Sequence, residues 1–310
     1  MPFLVVGESL VDIVVPATGG ERHDAVGGSC LNVAVGLARL DVPTTLMTRI
    51  GDDDYGRQVV DHVHASDVSL ADGSVVEGGV TSTATAHLDD EHAATYDFEI
   101  VWDLPGSQLP SDTSGVHVGS LGSTLEPGRT SVVGLVQQAV DSDVFVSYDP
   151  NIRPSFLEDS EAAWRDVLEI AAGARLVKLS DEDLRLLRPD DAEDDVCREL
   201  LAGDRTELVV LTRGGVGARA YTEGSTLDVA APATDLVDTV GAGDSFMAAT
   251  LAMLDDWGVV SGGDGALSAL DDDRVALLLR GATVAAAITC ARRGANPPTR
   301  AELPPAWPVG

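Results

Sequence analysis

The chain has 310 residues, with 51 acidic against 20 basic side chains, a net charge of −31, and 44% hydrophobic but only 4% aromatic residues. That length accommodates one large α/β unit or two small ones around an ample core, and a charge of this sign repels nucleic acid and anionic membrane surfaces. No apolar run approaches the ~18 residues of a membrane span, and Cys30, Cys197 and Cys290 are too few and too dispersed for a disulfide framework or a zinc knuckle.

Residues 3–7 (Phe-Leu-Val-Val-Gly) read as a buried first strand without the basic flank or cleavage site of a signal peptide, so a cytoplasmic protein is expected. A second apolar run, residues 8–15, is interrupted by Asp12. A carboxylate there needs a partner to offset its desolvation, or is an ordinary turn residue. Behind Gly27-Gly28, a pair that alone marks only a turn, Leu31, Ala34, Val35 and Ala38 fall at helical spacing, with Asn32 in the first turn. Residues 44–50 form a further strand, and Gly51-Asp-Asp-Asp-Tyr-Gly56 leads into a helix ending near residue 66. Residues 81–88 and 94–100 then alternate about the polar turn 89–92, which is the pattern of a β-hairpin. His62 with His64 and His87 with His92 lack nearby cysteines and read as surface or core residues rather than metal ligands.

From Val116 onward, short apolar runs at 116–119, 144–148, 176–179 and 208–212 alternate with helical stretches near 128–140, 162–172 and 194–202. This is the pattern of βαβ units and a parallel sheet covered on both faces. Ligands of such sheets gather at the carboxyl ends of the strands, which directs attention to four places. The first is Asp149-Pro-Asn-Ile-Arg-Pro154, where two prolines stiffen the loop and Arg153 offers a forked cation to a phosphate, a carboxylate or one of many local acids. The second is Lys178, the only lysine, and the third is Ser180-Asp-Glu-Asp183 just after it. The fourth is Thr212-Arg-Gly214-Gly-Val-Gly217, which is not a Walker A loop because no Gly-Lys-Ser/Thr follows.

The most informative stretch is Asp238-Thr-Val-Gly-Ala-Gly-Asp-Ser-Phe-Met-Ala-Ala249. A glycine turn, Gly241-Ala242-Gly243, opens a helix whose apolar residues Phe246, Ala249, Thr250 and Met253 keep helical spacing. Unpaired N–H groups and the helix dipole attract an anion to such a turn. Asp244 there is placed to accept a proton from a hydroxyl attacking a phosphoryl group, although aspartate after a glycine turn is also a common helix cap. A last apolar helix, 274–291, precedes Arg293-Gly294-Ala-Asn296-Pro297.

Two of these segments, Asp238-Thr-Val-Gly-Ala-Gly-Asp-Ser-Phe246 and Gly27-Gly28-Ser-Cys-Leu-Asn32, resemble the two signatures of the ribokinase/PfkB family of carbohydrate kinases, in the expected order. The resemblance runs over residues 3–303. It implies a three-layer α/β/α fold with a mostly parallel central sheet, residues 1–310 as one kinase domain, and lid strands inserted at about 12–26 and 80–103. It further implies ATP as phosphoryl donor, Asp244 as catalytic base, and an anion hole of the Gly241, Ala242 and Gly243 amides. Asp12, Gly27, Gly28 and Asn32 would hold a sugar. The Asp-Pro-Asn-x-Arg-Pro stretch, with Arg153, is similar to that of fructokinases and 2-keto-3-deoxygluconate kinases. Lys178, Ser180, Thr212, Gly214, Gly217 and Asn296 would lie on the nucleotide side. Ribokinases carry Asn-x-x-Glu where this chain has Ser180 and Asp183, so Asp183 would reach Mg²⁺ only through water. Asp238 and Gly294 would border a monovalent cation such as K⁺.

The resemblance points first to transfer of a phosphoryl group to a primary hydroxyl of fructose, with 2-keto-3-deoxygluconate kinase as the main alternative and a ribose or nucleoside kinase third. A catalytically silent sugar-binding regulator on the same fold is the alternative of another class, against which the intact Asp244 turn speaks. A homodimer through lid sheets is expected. The acidic composition resembles that of proteins from organisms that keep high salt inside the cell, where screening contracts to about 3 Å at 1 M.

Overall fold

The computed structural model describes residues 1–16, 22–88, 94–104, 107–305 and 307. The chain opens with strands β1 (Phe3–Val6), β2 (Leu10–Val15) and β3 (His23–Gly27), then helix α1 (Ser29–Arg39). Strands β4 (Thr44–Met47) and β5 (Ile50–Gly51), helix α2 (Asp54–His64), and the short β6 (Ser69–Leu70) and β7 (Val75–Val76) precede a hairpin of β8 (Ser82–Leu88) and β9 (Ala94–Glu99). The expected turn at residues 89–92, with His92, lies outside the described residues.

The second half alternates: β10 (Gly115–Gly119), α3 (Gly128–Asp141), β11 (Phe145–Asp149), α4 (Ser160–Ala171) and β12 (Leu176–Ser180). It continues through α5 (Asp181–Leu187), α6 (Glu193–Leu201), β13 (Leu208–Thr212), β14 (Gly217–Tyr221) and β15 (Thr226–Ala230) to α7 (Ala242–Asp256) and α8 (Asp272–Cys290).

Nine strands form the main sheet in the order β15-β14-β13-β12-β11-β10-β1-β4-β6. All pairs from β6 to β13 are parallel, and β14 and β15 close the far edge antiparallel. The central strands are buried on both faces, as continuous Val/Leu runs require. On one face Val5, Phe145 and Val210 pack under α1, α2, α7 and α8; on the other Leu4, Val116 and Val146 pack under α3, α4, α5 and α6. The result is an α/β/α sandwich. Strand order reverses between β1 and β10, so a crevice opens at their carboxyl ends. Among the described residues no helix is long and apolar enough to cross a membrane.

A second sheet, β3-β2-β8-β9, stands apart, with β2 and β8 parallel and the outer pairs antiparallel. Its root is tied to the main body by Asp53. That carboxylate caps α2 at the Gly56 N–H (2.8 Å) and also accepts from the backbone N–H and hydroxyl of Thr81, the residue before β8. The strand expected over 44–50 is two strands. After Met47 the chain leaves the main sheet, because Arg49 turns to Asp103 (2.9 Å) and the Val80 carbonyl (2.7 Å), and Ile50–Gly51 pairs with β7 instead.

Candidate active site

Helix α7 begins where the glycine turn predicts. Gly241 is its N-cap at φ +74, a left-handed conformation that favours glycine, and a Cβ there would come within 2.6 Å of the Ala295 Cβ. The Ala242 N–H turns back to the Thr239 carbonyl (3.2 Å). Of the three amides expected to bind an anion, that of Ala242 is thus engaged, while that of Gly243, with the Asp244 amide next to it, has no acceptor at this helix start. Asp244 is the third helical residue, and no side chain caps this helix, so its carboxylate is committed to something other than capping.

That something is α1. Ser29 Oγ donates to Asp244 Oδ1 (2.7 Å) and Asn32 Nδ2 donates to Oδ2 (2.8 Å), while Asn151 Nδ2 donates to Ser29 Oγ (2.8 Å). Asp244 is 6% exposed and both of its helix α1 partners are buried. The contact depends on close packing of the two helices, since a Cβ on Gly36 would lie 2.6 Å from the Ala248 Cβ. Gly28, the α1 N-cap at φ +118, passes directly over the Glu8 carbonyl. The Glu8 side chain is buried at the mouth of the crevice, accepting from the Ser29 N–H (3.1 Å) and the Gly122 N–H (2.9 Å). Burial raises its pKa, and the backbone donors together with Arg153 oppose that shift.

Lys178 is buried on β12 and donates to Asp149 Oδ2 (2.6 Å). Its ammonium lies beside the glycine turn that opens α7: a Cβ on Gly243 would be 3.5 Å from Nζ. Burial alone would lower the Lys178 pKa, but Asp149, Asp183 and Asp244 together raise it. Asp149 is pushed up to about 6 by burial, against the pull of Lys178. Its Oδ1 is buried without a partner among the described residues. Ser180 and Asp183 form a capping box at the start of α5. Both Asp183 oxygens are occupied: Oδ2 by the Ser180 N–H and hydroxyl (2.7 Å each) and Oδ1 by the Ile152 N–H (2.7 Å). Thr212 ends β13 with its hydroxyl on the Leu179 carbonyl (3.3 Å). Gly214 and Gly215 face open space, whereas Gly217 packs against the Val229 carbonyl of β15.

On the side of the second sheet, Asp12 projects from β2 against Gly27; a Cβ on Gly27 would meet Asp12 Oδ2 at 2.4 Å. Although this side chain is exposed, the surrounding protein raises its pKa by desolvation, opposed by Arg153. Arg153 is exposed and makes no ion pair among the described residues. It borders a cleft of about 240 Å³ shared with Leu121, Ile152 and Phe156, and Phe98 of β9 meets Phe156 edge-on at 5.0 Å between ring centres. A larger cleft of about 480 Å³, at Asp256, Trp257 and Arg274, lies at the opposite end of α7, about 20 Å from the turn by helix rise, and is not part of this site.

The last group lies behind the turn. Asp238 accepts from the Gly294 N–H (2.8 Å) and the Val240 N–H (3.1 Å), which lower its pKa. Asp238 and Gly294 are thus in contact, whereas the Asn296 side chain is engaged by Arg39 of α1 (2.6 Å). Sequence reasoning passed over Glu8, Ser29, Asn151 and Asp149 as individual site residues, although all four stand inside segments it singled out.

A family model described as pfkB family carbohydrate kinase matches residues 3–302. The chain is 30% identical over 314 residues to probable fructokinase-4 of Arabidopsis thaliana, covering 96% of this chain and 94% of that protein. It is 32% identical over 263 residues to a fructokinase of Rhizobium leguminosarum bv. trifolii, covering 81% and 79%. Among solved structures, the fructokinase of Xylella fastidiosa with bound ATP superposes with a TM-score of 0.82 at 23% identity, covering 98% of this chain and 95% of that one. A double mutant of the fructokinase from Vibrio cholerae O395 with fructose, ADP and potassium ion bound gives a TM-score of 0.78 at 25% identity, covering 95% and 93%.

Proposed function

This chain belongs to the pfkB family of carbohydrate kinases, and we propose that the sugar it phosphorylates with ATP is fructose. The observation that carries the site is the Asp244 carboxylate, held by α1 donors beside the unsatisfied amides that open α7. Fructokinases recur among its relatives, including structures that hold ATP, or fructose with ADP.

In this reading the whole chain acts as one catalytic unit, with the β3-β2-β8-β9 sheet as the lid. Asp12, Gly28 and Asn32 orient the sugar, and Asp244 takes the proton of its primary hydroxyl as that oxygen attacks the γ-phosphorus. The bond to the β,γ-bridging oxygen breaks and ADP leaves. The Gly243 and Asp244 amides, with Lys178, stabilise charge on the transferring group. The rest of the nucleotide lies along the ends of β12 to β14, past Ser180, Thr212, Gly214 and Gly217, with Asn296 on its far side. Mg²⁺ carried by ATP would neutralise phosphate charge; the unpartnered Asp149 Oδ1 fits a water of its hydration shell better than Asp183, whose oxygens are both engaged. The Asp238–Gly294 contact is the place to seek a K⁺ dependence. In this reading the protein works in the cytoplasm.

Arg153 favours a second reading. An exposed guanidinium without an ion-pair partner among the described residues suits the carboxylate of 2-keto-3-deoxygluconate. The deciding assay follows phosphate transfer from ATP-Mg²⁺ in high KCl to fructose, the keto acid, ribose and adenosine, with Asp244→Ala alongside. Turnover of fructose that the variant lacks supports the proposal. Turnover of the keto acid alone reassigns Arg153 as a carboxylate clamp, and sugar binding without transfer identifies a silent binder.

A homodimer through the lid is part of this reading. Edge strand β9 exposes Tyr96 and Phe98, stacked at 5.9 Å between ring centres, and a second copy would cover them. A monomeric mass by light scattering in high salt would rule it out.

A further inference from the structure

Of the three side-chain donors around Asp244, two, Asn151 and Ser29, form a single chain with a direction. A carboxylate only accepts, so the one proton of the Ser29 hydroxyl goes to Asp244 Oδ1 (2.7 Å). Ser29 Oγ is then left with lone pairs, and Asn151 must turn its amide nitrogen, not its oxygen, toward it (2.8 Å). By the same logic Asn32 presents its nitrogen to Oδ2 (2.8 Å). Both Asp244 oxygens are gripped, yet each keeps a lone pair for a substrate hydroxyl.

Asn151 is held for this task. It adopts φ +38, in the left-handed region that asparagine tolerates better than most residues. On either side its loop is anchored, at Asp149 by Lys178 (2.6 Å) and at Ile152 by Asp183 (2.7 Å). At the other end of the chain, Glu8 fixes the Ser29 N–H (3.1 Å). Ser29 is 5% exposed, so water does not compete freely for its hydroxyl.

We propose that Asn151 and Ser29 form a positioning relay that sets the rotation of the Asp244 carboxylate, so that the loop carrying Arg153 governs whether the base is correctly aimed. Neither residue touches the transferring phosphoryl group. The relay rests on the reading of Asp244 as the base. Its purpose is orientation: a general base works only when its lone pair points at the proton it removes.

The test is steady-state kinetics on the full chain with whichever sugar the wild type turns over, in high KCl. Ser29→Ala removes a hydrogen bond to a charged group and should lower kcat about 10- to 100-fold with the sugar KM little changed. Asn151→Ala should give the same kind of split to a smaller degree, and the double variant should fall no further than Ser29→Ala, since both break one chain. Ser29→Thr, which keeps the hydroxyl, should recover part of the loss. Thermal unfolding of each variant separates this from a folding defect. Wild-type kcat in Ser29→Ala overturns the relay, as do strictly multiplicative losses in the double variant. A large rise in sugar KM for Asn151→Ala would also overturn it, by showing direct contact with substrate. If instead Asp244→Ala retains activity, the reading of the base has failed, independently of the relay.

Discussion

At the scale of single residues, the buried Lys178–Asp149 pair carries the most consequence. It places the only cation on β12 beside the glycine turn that opens α7, and each partner compensates the other's burial. Replacing Lys178 with Met leaves Asp149 buried without a counter-charge, which should cost about 3–5 kcal/mol in urea unfolding. The acid has its own signature in pH. Burial raises the folded-state pKa of Asp149 to about 6, from 3.8. A raised acid binds more protons folded than unfolded between those values, so its contribution to stability is complete below about 3.8 and is lost as pH climbs through about 6. Asn at this position never ionises. The stability of Asp149→Asn relative to wild type should therefore rise between pH 4 and pH 7, and a difference that falls instead would mean that Lys178 wins and the charged form is the favoured one.

Among the elements, the packing of α1 on α7 decides whether the site exists. Gly36 lets the helices approach closely enough for Ser29 and Asn32 to reach Asp244, and a Cβ there would sit 2.6 Å from that of Ala248. Gly36→Ala should cost about 1–3 kcal/mol through overpacking, and kcat should drop as the donors withdraw. Adding Ala248→Gly makes room again and should restore kcat, even though glycine within a helix costs about 1 kcal/mol. If the second change restores nothing, the contact is not what sets the donors. These helices, like the alternating strands and the lid hairpin, were legible in the sequence because their signals are local: apolar spacing in α1 and α7, continuous runs in β10 to β13, alternation in β8 and β9. What escaped was non-local. Glu8 meets a partner 114 residues away, Ser29 one 215 residues away and Asn151 one 122 residues away, and no window of sequence contains both ends. The break after Met47 escaped for a related reason, since the pattern runs on through Thr48-Arg49 and only the remote partners of Arg49 reveal the departure.

For the molecule as a whole the dominant quantity is charge. Arginines such as Arg175, Arg205 and Arg219 are each shared by two or more carboxylates, yet 51 acids against 20 bases leave a large unbalanced negative surface. Self-repulsion of that size destabilises the compact state and is relieved by screening, whose range contracts from about 10 Å at 0.1 M to about 3 Å at 1 M. Unfolding free energy at pH 7 should accordingly rise steeply with KCl up to about 1 M. Salt also strengthens apolar burial by exclusion from the surface, and pH separates the two causes. Near pH 4.5 many exposed carboxylates approach their ordinary pKa of about 4, so a screening effect must shrink there while an exclusion effect persists. The same field acts on the donor. ATP is an anion approaching a surface of its own sign, so its KM should fall as KCl rises at pH 7, and should fall less at pH 5.5, where partial protonation has begun to weaken the repulsion. A KM for ATP indifferent to salt would mean that the local positive potential of Lys178 and the α7 amides already outweighs the global charge at the mouth of the crevice.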